Sequence, residues 1–373
     1  MLETPVNPDV IVVGAGIVGC AVSDALLRQG CRVHLIDPRG VGLGATQASA
    51  GMLTPFSEGR HHAMLEALGA RSLEMYDAFV AQTIGSPDRP SWYARTGSLE
   101  VAVTDLEGEE LRARAVDHAS RGIGSALITE ADVRRAEPEV TPDAVAALLV
   151  PSHGHVSARE LTAALWASCE RQGAHLDVAP VRRISASAGG VTVATDTTSF
   201  SARHVVLAAG GWTGQLAIEG VPALPVRPVK GQLLRLAGDA PRLARIAWGS
   251  RCYTVPIADG SLLVGATLED VGFDEQPTVG GMRELMDAVC GLLPSAARAG
   301  FADVRVGLRP ASPDALPALG HSSKIRGLIY AVGHYRNGVL LAPLTAELVR
   351  KLVVGSTEDP ALVALSPQRF GEL

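Results

Sequence analysis

The chain has 373 residues, of which 47% are hydrophobic and 19% are charged, enough apolar sequence for the cores of two domains. The formal net charge is −6 at pH 7, so no general basic field attracts nucleic acid or an anionic membrane. The five cysteines are scattered and form no C-x-x-C pair, which disfavours a zinc or disulfide framework and fits a reducing, cytoplasmic compartment. We expect neither a signal peptide nor a transmembrane segment, because no apolar run is long enough to cross a bilayer.

The first structured unit is predicted at residues 10–37. An apolar run at residues 10–13 is followed by Gly14, Gly16 and Gly19, then by a helical stretch, and by a second strand that ends at Asp37. This order predicts a dinucleotide-binding βαβ unit in which the helix N-terminus faces the pyrophosphate. Asp37, eighteen positions after Gly19, is placed to accept hydrogen bonds from the adenosine ribose. This favours FAD or NAD over NADP and leaves the choice between the first two open.

The periodicity downstream predicts a mixture of helices and strands. We expect helices at residues 62–79, 107–122, 131–137, 157–172 and 281–293. We expect strands at residues 97–103, 174–178, 203–208 and 302–306, hairpin-like stretches at 184–200 and 252–266, and a final strand and helix at 327–353.

Three other features have two interpretations each. The small-residue stretch 38–52 is either a flexible loop or backbone laid against a flat ligand. Arg309 and Arg336 follow predicted strands and either form surface ion pairs or grip a carboxylate in a bidentate manner. Four histidines occur in close pairs without carboxylate or cysteine companions at ligand spacing, so we interpret them as core or surface residues and predict no metal site: His61, His62, His153 and His155.

Several motifs, at residues 45–52, 203–213, 307–320 and 333–343, together resemble the glycine oxidases of the D-amino-acid-oxidase-like FAD-dependent oxidoreductase superfamily. The resemblance extends from residue 11 to about residue 352 and is most specific in the C-terminal part, at residues 307–320 and 333–343. It implies an α/β fold with a Rossmann-like FAD-binding domain and an α+β substrate domain that contains a large mixed or antiparallel sheet. The FAD domain would comprise residues 1–89, 153–225 and 306–373, and the substrate domain residues 90–152 and 226–305.

The resemblance also implies a set of site residues. Arg336 would bind the substrate carboxylate, Tyr253 would donate a hydrogen bond to it, and Arg309 would be a second arginine of the pocket. Met52 and Leu268 would line that pocket, although the family carries methionine at the position of Leu268. For Tyr253, packing across strands is the alternative interpretation. The residues expected to contact the cofactor are Gly14, Gly16, Ile17, Val18, Gly19, Asp37, Pro38, Thr46, Gln47, Gly51, Met52, Leu53, Val181, His334, Tyr335, Arg336, Asn337, Gly338, Val339 and Leu340.

The implied reaction is the oxidative deamination of glycine, sarcosine or small D-amino acids to a 2-oxo acid, ammonia or an amine, and hydrogen peroxide. Oxygen would accept the electrons, and the reaction would serve thiamine (thiazole) biosynthesis. The protein would assemble as a homotetramer. FAD would be bound non-covalently, because the last cysteine, Cys290, precedes the 307–320 block. Two alternatives stay open: a D-amino-acid or secondary-amine dehydrogenase with another electron acceptor, and a non-catalytic or NAD-linked binding protein.

Overall fold

The computed structural model describes residues 8–58, 62–356 and 358–373. The strands, numbered in chain order, are β1 (Val10–Val13), β2 (Val33–Ile36), β3 (Met52–Leu53), β4 (Tyr93–Ala94), β5 (Ser98–Ala102), β6 (Ala126–Thr129), β7 (Ala146–Val150), β8 (Gly154–Val156), β9 (His175–Asp177), β10 (Arg183–Ser187), β11 (Gly190–Ala194), β12 (Ser199–Ala202), β13 (His204–Leu207), β14 (Ala217–Ile218), β15 (Arg227–Ala237), β16 (Ile246–Trp248), β17 (Tyr253–Pro256), β18 (Leu262–Gly265), β19 (Gly300–Ala311), β20 (Ala318–His321) and β21 (Leu328–Val332).

The α-helices are α1 (Ile17–Leu27), α2 (Pro55–Glu58), α3 (Ala63–Ile84), α4 (Asp105–Ser120), α5 (Glu130–Ala136), α6 (Ala158–Arg171), α7 (Val279–Leu292), α8 (Ala342–Val353) and α9 (Pro360–Ala364). Short 3₁₀ helices cover Ala45–Ala48, Gly210–Gln215, Pro294–Arg298 and Pro367–Phe370. No helix in the described part of the chain has the length and apolar character that crossing a membrane requires.

β1 lies inside a six-stranded sheet whose order is β20-β21-β13-β1-β2-β9. Its pairs with β13 and β2 are parallel, and only the edge pair β20-β21 is antiparallel. Val10 and Val12 pack with α1, α3, α6 and α8, whereas Ile11 and Val13 face the small sheet β12-β11-β10-β14. Both faces of β1 are therefore buried, which explains its uninterrupted apolar sequence. The Rossmann-like half of the expected fold is confirmed.

A second sheet of eight strands has the order β19-β15-β18-β17-β16-β5-β7-β6. It is antiparallel except for the parallel pair β16-β5. Alternate residues of its strands face opposite layers, so that Leu234 and Val264 pack under α7, while Leu233 and Leu263 pack with Met52 and Tyr253. The large mixed sheet that the resemblance implies is therefore present.

The strand β19 runs through residue 305, where we placed a domain boundary. The division into domains stays a prediction.

Two helices begin at residues whose side chains cap them. Ser157 accepts a hydrogen bond from the amide of Glu160 and begins α6, as the sequence spacing predicts. His62 caps α3 by accepting from the amide of Leu65. His61 lies outside the described residues.

Three histidines are buried without charge compensation. His153 is fully buried beside Ser98, and His155 and His334 are 8% and 3% exposed. Burial lowers the pKa of His153 to about 3, and the pKa values of His155 and His334 to about 4. All three imidazoles are therefore neutral in the folded protein at pH 7.

These histidines predict a loss of stability in mild acid. Because their folded-state pKa values lie below the unfolded value of about 6.5, the unfolded chain binds more protons between about pH 4 and pH 6.5. The free energy of unfolding should fall by about 1.4 kcal/mol per histidine for each pH unit lost in this window. Urea unfolding followed at pH 7.0, 6.0 and 5.0 measures the slope. His334→Gln should make it shallower, whereas equal slopes for the variant and the wild type would contradict the prediction.

Candidate active site

The glycine turn between β1 and α1 lets backbone segments approach each other closely. Gly14 has a φ of +110°, and a Cβ atom there would lie 2.3 Å from the carbonyl oxygen of Ala208, just after β13. A Cβ atom on Gly19 would lie 1.9 Å from the carbonyl oxygen of Gly14. Since no side chain fits at either position, these glycines hold the turn against β13 and α1 against the turn.

The N-terminus of α1 opens into a cavity of about 350 Å³, which Gly16, Ile17 and Val18 help to line. Gly16 is the N-cap residue, and it has no side chain with which to cap the helix. The Ile17 amide donates to Oγ1 of Thr46 over 3.1 Å. First-turn amides have no acceptor within their own helix, so this end suits an anion such as a pyrophosphate.

Asp37 follows β2 at the edge of the same cavity. Its Oδ2 atom accepts a hydrogen bond from the Ala15 amide over 2.8 Å. Its Oδ1 atom accepts from the amides of Arg39 and Gly40 over 2.8 and 3.0 Å. These bonds fix the orientation of the carboxylate, and Oδ2 keeps a second lone pair with which it can accept from a ribose hydroxyl.

Residues 44–52 form an ordered wall of the cavity. A Cβ atom on Gly51 would lie 1.6 Å from the carbonyl oxygen of Val156, whose own amide donates to the Gly51 carbonyl over 2.9 Å. A Cβ atom on Gly307 would lie 2.9 Å from Cβ of Ala48, so β19 packs directly on the 3₁₀ helix. The small residues therefore serve close packing around the cavity, which favours the second interpretation of this stretch.

The turn after β21 forms another wall. His334 pairs with Ala311, and the amide of Tyr335, which has a φ of +49°, donates to the carbonyl of Pro310 over 2.8 Å. Nε2 of His334 lies 2.9 Å from Oγ1 of Thr345 on α8. Arg336 follows with an exposed side chain that lines the cavity. The turn is thus held from β19 on one side and α8 on the other.

Arg309 and Tyr253 reach the cavity from the eight-stranded sheet. The Arg309 guanidinium donates to the carbonyls of Lys230 and Thr267 over 3.3 and 3.0 Å. It lies where a Cβ atom on Gly231 would be, 2.1 Å from Nη2. In the same way, the Tyr253 hydroxyl would lie 2.3 Å from a Cβ atom on Gly265. Two glycines in neighbouring strands therefore make room for the two side chains.

Most of the predicted residues meet in this one cavity. Those that line it are Gly14, Gly16, Ile17, Val18, Asp37, Pro38, Thr46, Gly51, Met52, Val181, Tyr253, Arg309, His334, Tyr335, Arg336, Gly338 and Val339. Five predicted cofactor residues are not among those that line it: Gly19, Gln47, Leu53, Asn337 and Leu340.

The structure corrects the position of Leu268. This residue does not line the cavity, and it is 65% exposed. The hairpin strand β18 ends at Gly265, but Glu269 still pairs with Lys230 of β15. Leu268 therefore lies on an exposed stretch beside β15 and outside the buried cluster that contains Met52 and Tyr253.

Two large side chains of the cavity wall were not among the predicted site residues, although both lie in stretches that the sequence analysis singled out. Arg39 and Trp212 both line the cavity, and Cζ of Arg39 lies 4.2 Å from the centre of a Trp212 ring. Their positions in the sequence could have indicated contact with the cavity. Arg39 comes two residues after Asp37, and Trp212 follows the small residues after β13.

Residues 268–278, which we call the strap, connect the eight-stranded sheet to Arg39. The Glu275 carboxylate accepts hydrogen bonds from both terminal nitrogens of Arg39, over 2.8 and 2.6 Å. The ring of Phe273 lies 6.1 Å from that of Trp212. Nζ of the fully buried Lys230 lies 3.0 Å from Asp274. The strap thus contacts Arg39 and Trp212 of the cavity wall as well as the buried Lys230 of the eight-stranded sheet.

The backbone cradle of the glycine turn, the oriented Asp37 and the small-residue wall fit an extended dinucleotide with a flat ring, and the fold and cavity define a dinucleotide-dependent oxidoreductase. The chain matches the family described as FAD dependent oxidoreductase over residues 9–352, and it belongs to that family. FAD is its cofactor.

Individual relatives agree with this assignment. The chain is 33% identical to a glycine oxidase of Geobacillus kaustophilus over 350 residues, which cover 92% of each protein. The crystal structure of glycine oxidase from Geobacillus kaustophilus superposes with a TM-score of 0.92 and 31% identity, over 97% of this chain and 99% of that one. A bifunctional ThiO/ThiG protein of Nostoc sp. is 33% identical over 95% of this chain, which spans only 54% of that relative.

The Arg39–Glu275 pair predicts a change in FAD release. Glu275→Gln removes a bidentate charged pair from a cavity-lining arginine, so FAD should dissociate about fivefold faster. The rise of flavin fluorescence after dilution measures this rate. Asp287→Asn, which breaks the exposed Arg283–Asp287 pair on α7, is the matched control and should leave the rate unchanged. Equal rates in both variants would contradict a role of the strap in holding FAD.

Proposed function

We propose that this protein oxidises glycine and other small amines, such as sarcosine and small D-amino acids, to a 2-oxo acid and ammonia or an amine. When bound, FAD would accept the hydride of the substrate carbon–hydrogen bond and pass the two electrons to oxygen, which gives hydrogen peroxide, and water would hydrolyse the resulting imine to the 2-oxo acid and ammonia or an amine. Two observations support the proposal. Arg309, Arg336 and Tyr253 line the same cavity, and the chain is similar to glycine oxidases in sequence and structure.

The three side chains have the chemistry that an amino-acid carboxylate requires. Arg336 would bind the carboxylate as a bidentate pair, and the Tyr253 hydroxyl would donate to one of its oxygens. Arg309 would add positive charge from a guanidinium that two backbone carbonyls hold in place. Asp37 is the only carboxylate among the described residues that line the cavity, and backbone amides hold it. An anionic substrate would therefore meet attraction at the arginines.

The surroundings of Tyr253 favour a small substrate. Its ring packs in a buried apolar cluster with Met52, Leu233 and Leu263, and 5.2 Å from the ring of Trp248. This cluster would limit the room for a substrate side chain and would exclude water while carbon–hydrogen cleavage takes place.

We infer a cytoplasmic homo-oligomer that serves thiazole formation in thiamine biosynthesis. The described cysteines are all free, in keeping with a reducing compartment. The tetramer and the biosynthetic role follow from the resemblance to glycine oxidases. The five-segment division into FAD and substrate domains belongs to the same proposal.

A substrate panel tests the reaction class. Glycine, sarcosine, D-alanine and D-proline are mixed with the protein without oxygen, and the loss of flavin absorbance reports reduction whatever the natural acceptor is. Peroxide is then measured in air. We expect rapid reduction by glycine or sarcosine and one peroxide per substrate. Reduction without peroxide would instead indicate a dehydrogenase, and no reduction by any of the four would overturn the amine-oxidase assignment.

The carboxylate site predicts a selective loss of substrate affinity. Arg336→Ala should raise KM for glycine about 100-fold, because a bidentate charged pair is lost, while FAD content stays unchanged. Arg336→Lys should recover only part of this loss, since an ammonium group cannot form the planar pair. Steady-state kinetics with Arg283→Ala, on exposed α7, provide the control. A wild-type KM in Arg336→Ala would remove Arg336 from the site.

A further inference from the structure

Two histidines and an aspartate lie together at the edge of the six-stranded sheet, on strands distant in sequence. In the parallel pair of β2 with the edge strand β9, His34 is opposite His175 and Ile36 is opposite Asp177. Residues opposite each other, and those two positions further along a strand, project from the same face of a sheet. The pairing register therefore places His34, His175 and Asp177 on one face.

The three side chains can offer one ligand atom each within a small volume. Nε2 of His34 lies 2.8 Å from Oδ2 of Asp177, and Nε2 of His175 lies 3.5 Å from Oδ1 of Asp177. One ligand atom from each residue can be chosen so that all three lie within 4.8 Å of one another. The His34 side chain is 11% exposed, that of Asp177 34% and that of His175 72%. The cluster is thus anchored by a buried imidazole and open to solvent on its other side.

We propose that His34, His175 and Asp177 form a binding site for a divalent transition-metal ion of the Zn²⁺ type. Zinc binds imidazole nitrogen and carboxylate oxygen at about 2.0–2.2 Å. Ligand atoms arranged around one ion at that distance are separated by roughly 3–4 Å. The His175–Asp177 distance of 3.5 Å is of this size, and all three ligand atoms lie within 4.8 Å of one another. The short His34–Asp177 contact must open slightly, as its hydrogen bond is replaced by two bonds to the ion.

The ligand chemistry selects the kind of ion. Two imidazoles favour zinc, nickel or copper, whereas magnesium and calcium prefer an all-oxygen set. Three protein ligands leave a further position for water or an exchangeable ligand, so we expect an ion that exchanges with solvent. The exposed His175 provides the route of entry.

Neighbouring contacts would hold the ligands in place. The backbone carbonyl of Asp177 accepts a hydrogen bond from the amide of Asp37 over 3.1 Å, and the Phe200 ring packs edge-on against His34, with centres 4.6 Å apart. Such surrounding contacts orient metal ligands and strengthen binding. A bound ion would join β9 to β2 just before the residues 180–182 that line the cofactor cavity.

The alternative is a hydrogen-bonded pair, His34 and Asp177, with His175 nearby by chance. The substitution His175→Gln separates the two cases, because it removes one proposed ligand and leaves the His34–Asp177 bond intact. His175 is largely exposed, so its replacement should not disturb folding, and flavin content and circular dichroism verify this.

The test is calorimetric titration of Zn²⁺ into FAD-loaded protein that carries no polyhistidine tag and has been dialysed against a chelator and then against buffer. We expect one ion per chain, with affinity at least about tenfold lower in His175→Gln and in Asp177→Asn. His321→Gln, on the opposite edge strand β20 of the same sheet, should bind Zn²⁺ like the wild type. Mg²⁺ at the same concentrations should give no binding heat. Absence of Zn²⁺ binding, or unchanged affinity in both cluster variants, would overturn the site, whatever the amine-oxidase assays give.

Discussion

Close approach of backbone to backbone is the constraint on which the cavity depends. At Gly14, Gly51 and Gly307 a single Cβ atom would lie 1.6–2.9 Å from a neighbouring segment. These contacts join the glycine turn to β13, the small-residue wall to β8, and β19 to the 3₁₀ helix Ala45–Ala48. Segments far apart in sequence thereby enclose one space, and a methyl group at any of these points would force two walls apart.

The eight-stranded sheet brings Arg309 and Tyr253 to the same cavity, and here too glycines allow the close approach. Alternation along its strands sends one set of residues under α7 and the other toward Met52. Gly231 and Gly265 then leave the space that the Arg309 guanidinium and the Tyr253 ring fill. The positions of these side chains are consequently set by strand register and neighbouring glycines, and flexible loops contribute little.

Local patterns in the sequence predict much of this arrangement. The βαβ unit with Asp37 is contiguous in sequence, so its hydrophobic periodicity and glycine spacing suffice to predict it. Ser157 and Glu160, three residues apart, likewise predict the start of α6. The Arg39–Glu275 pair and the cluster of His34 with Asp177 depend on contacts between segments more than a hundred residues apart. The exposure of Leu268 depends on where strand β18 ends. The periodicity of a single segment does not encode such contacts. The resemblance to glycine oxidases placed Leu268 in the pocket wall, but in this chain the residue is exposed.

The charges around the cavity indicate how little acid–base chemistry the chain itself supplies. Among the described residues that line the cavity there is no lysine, glutamate or cysteine. Burial lowers the pKa of His334 to about 4, so its imidazole is neutral and already engaged with Thr345 at neutral pH. A substrate amine would therefore reach its neutral form through its own ionisation and solvent. In the proposed reaction the protein would add a fixed carboxylate site and an apolar wall beside the cofactor, so that positioning would account for its part in the reaction.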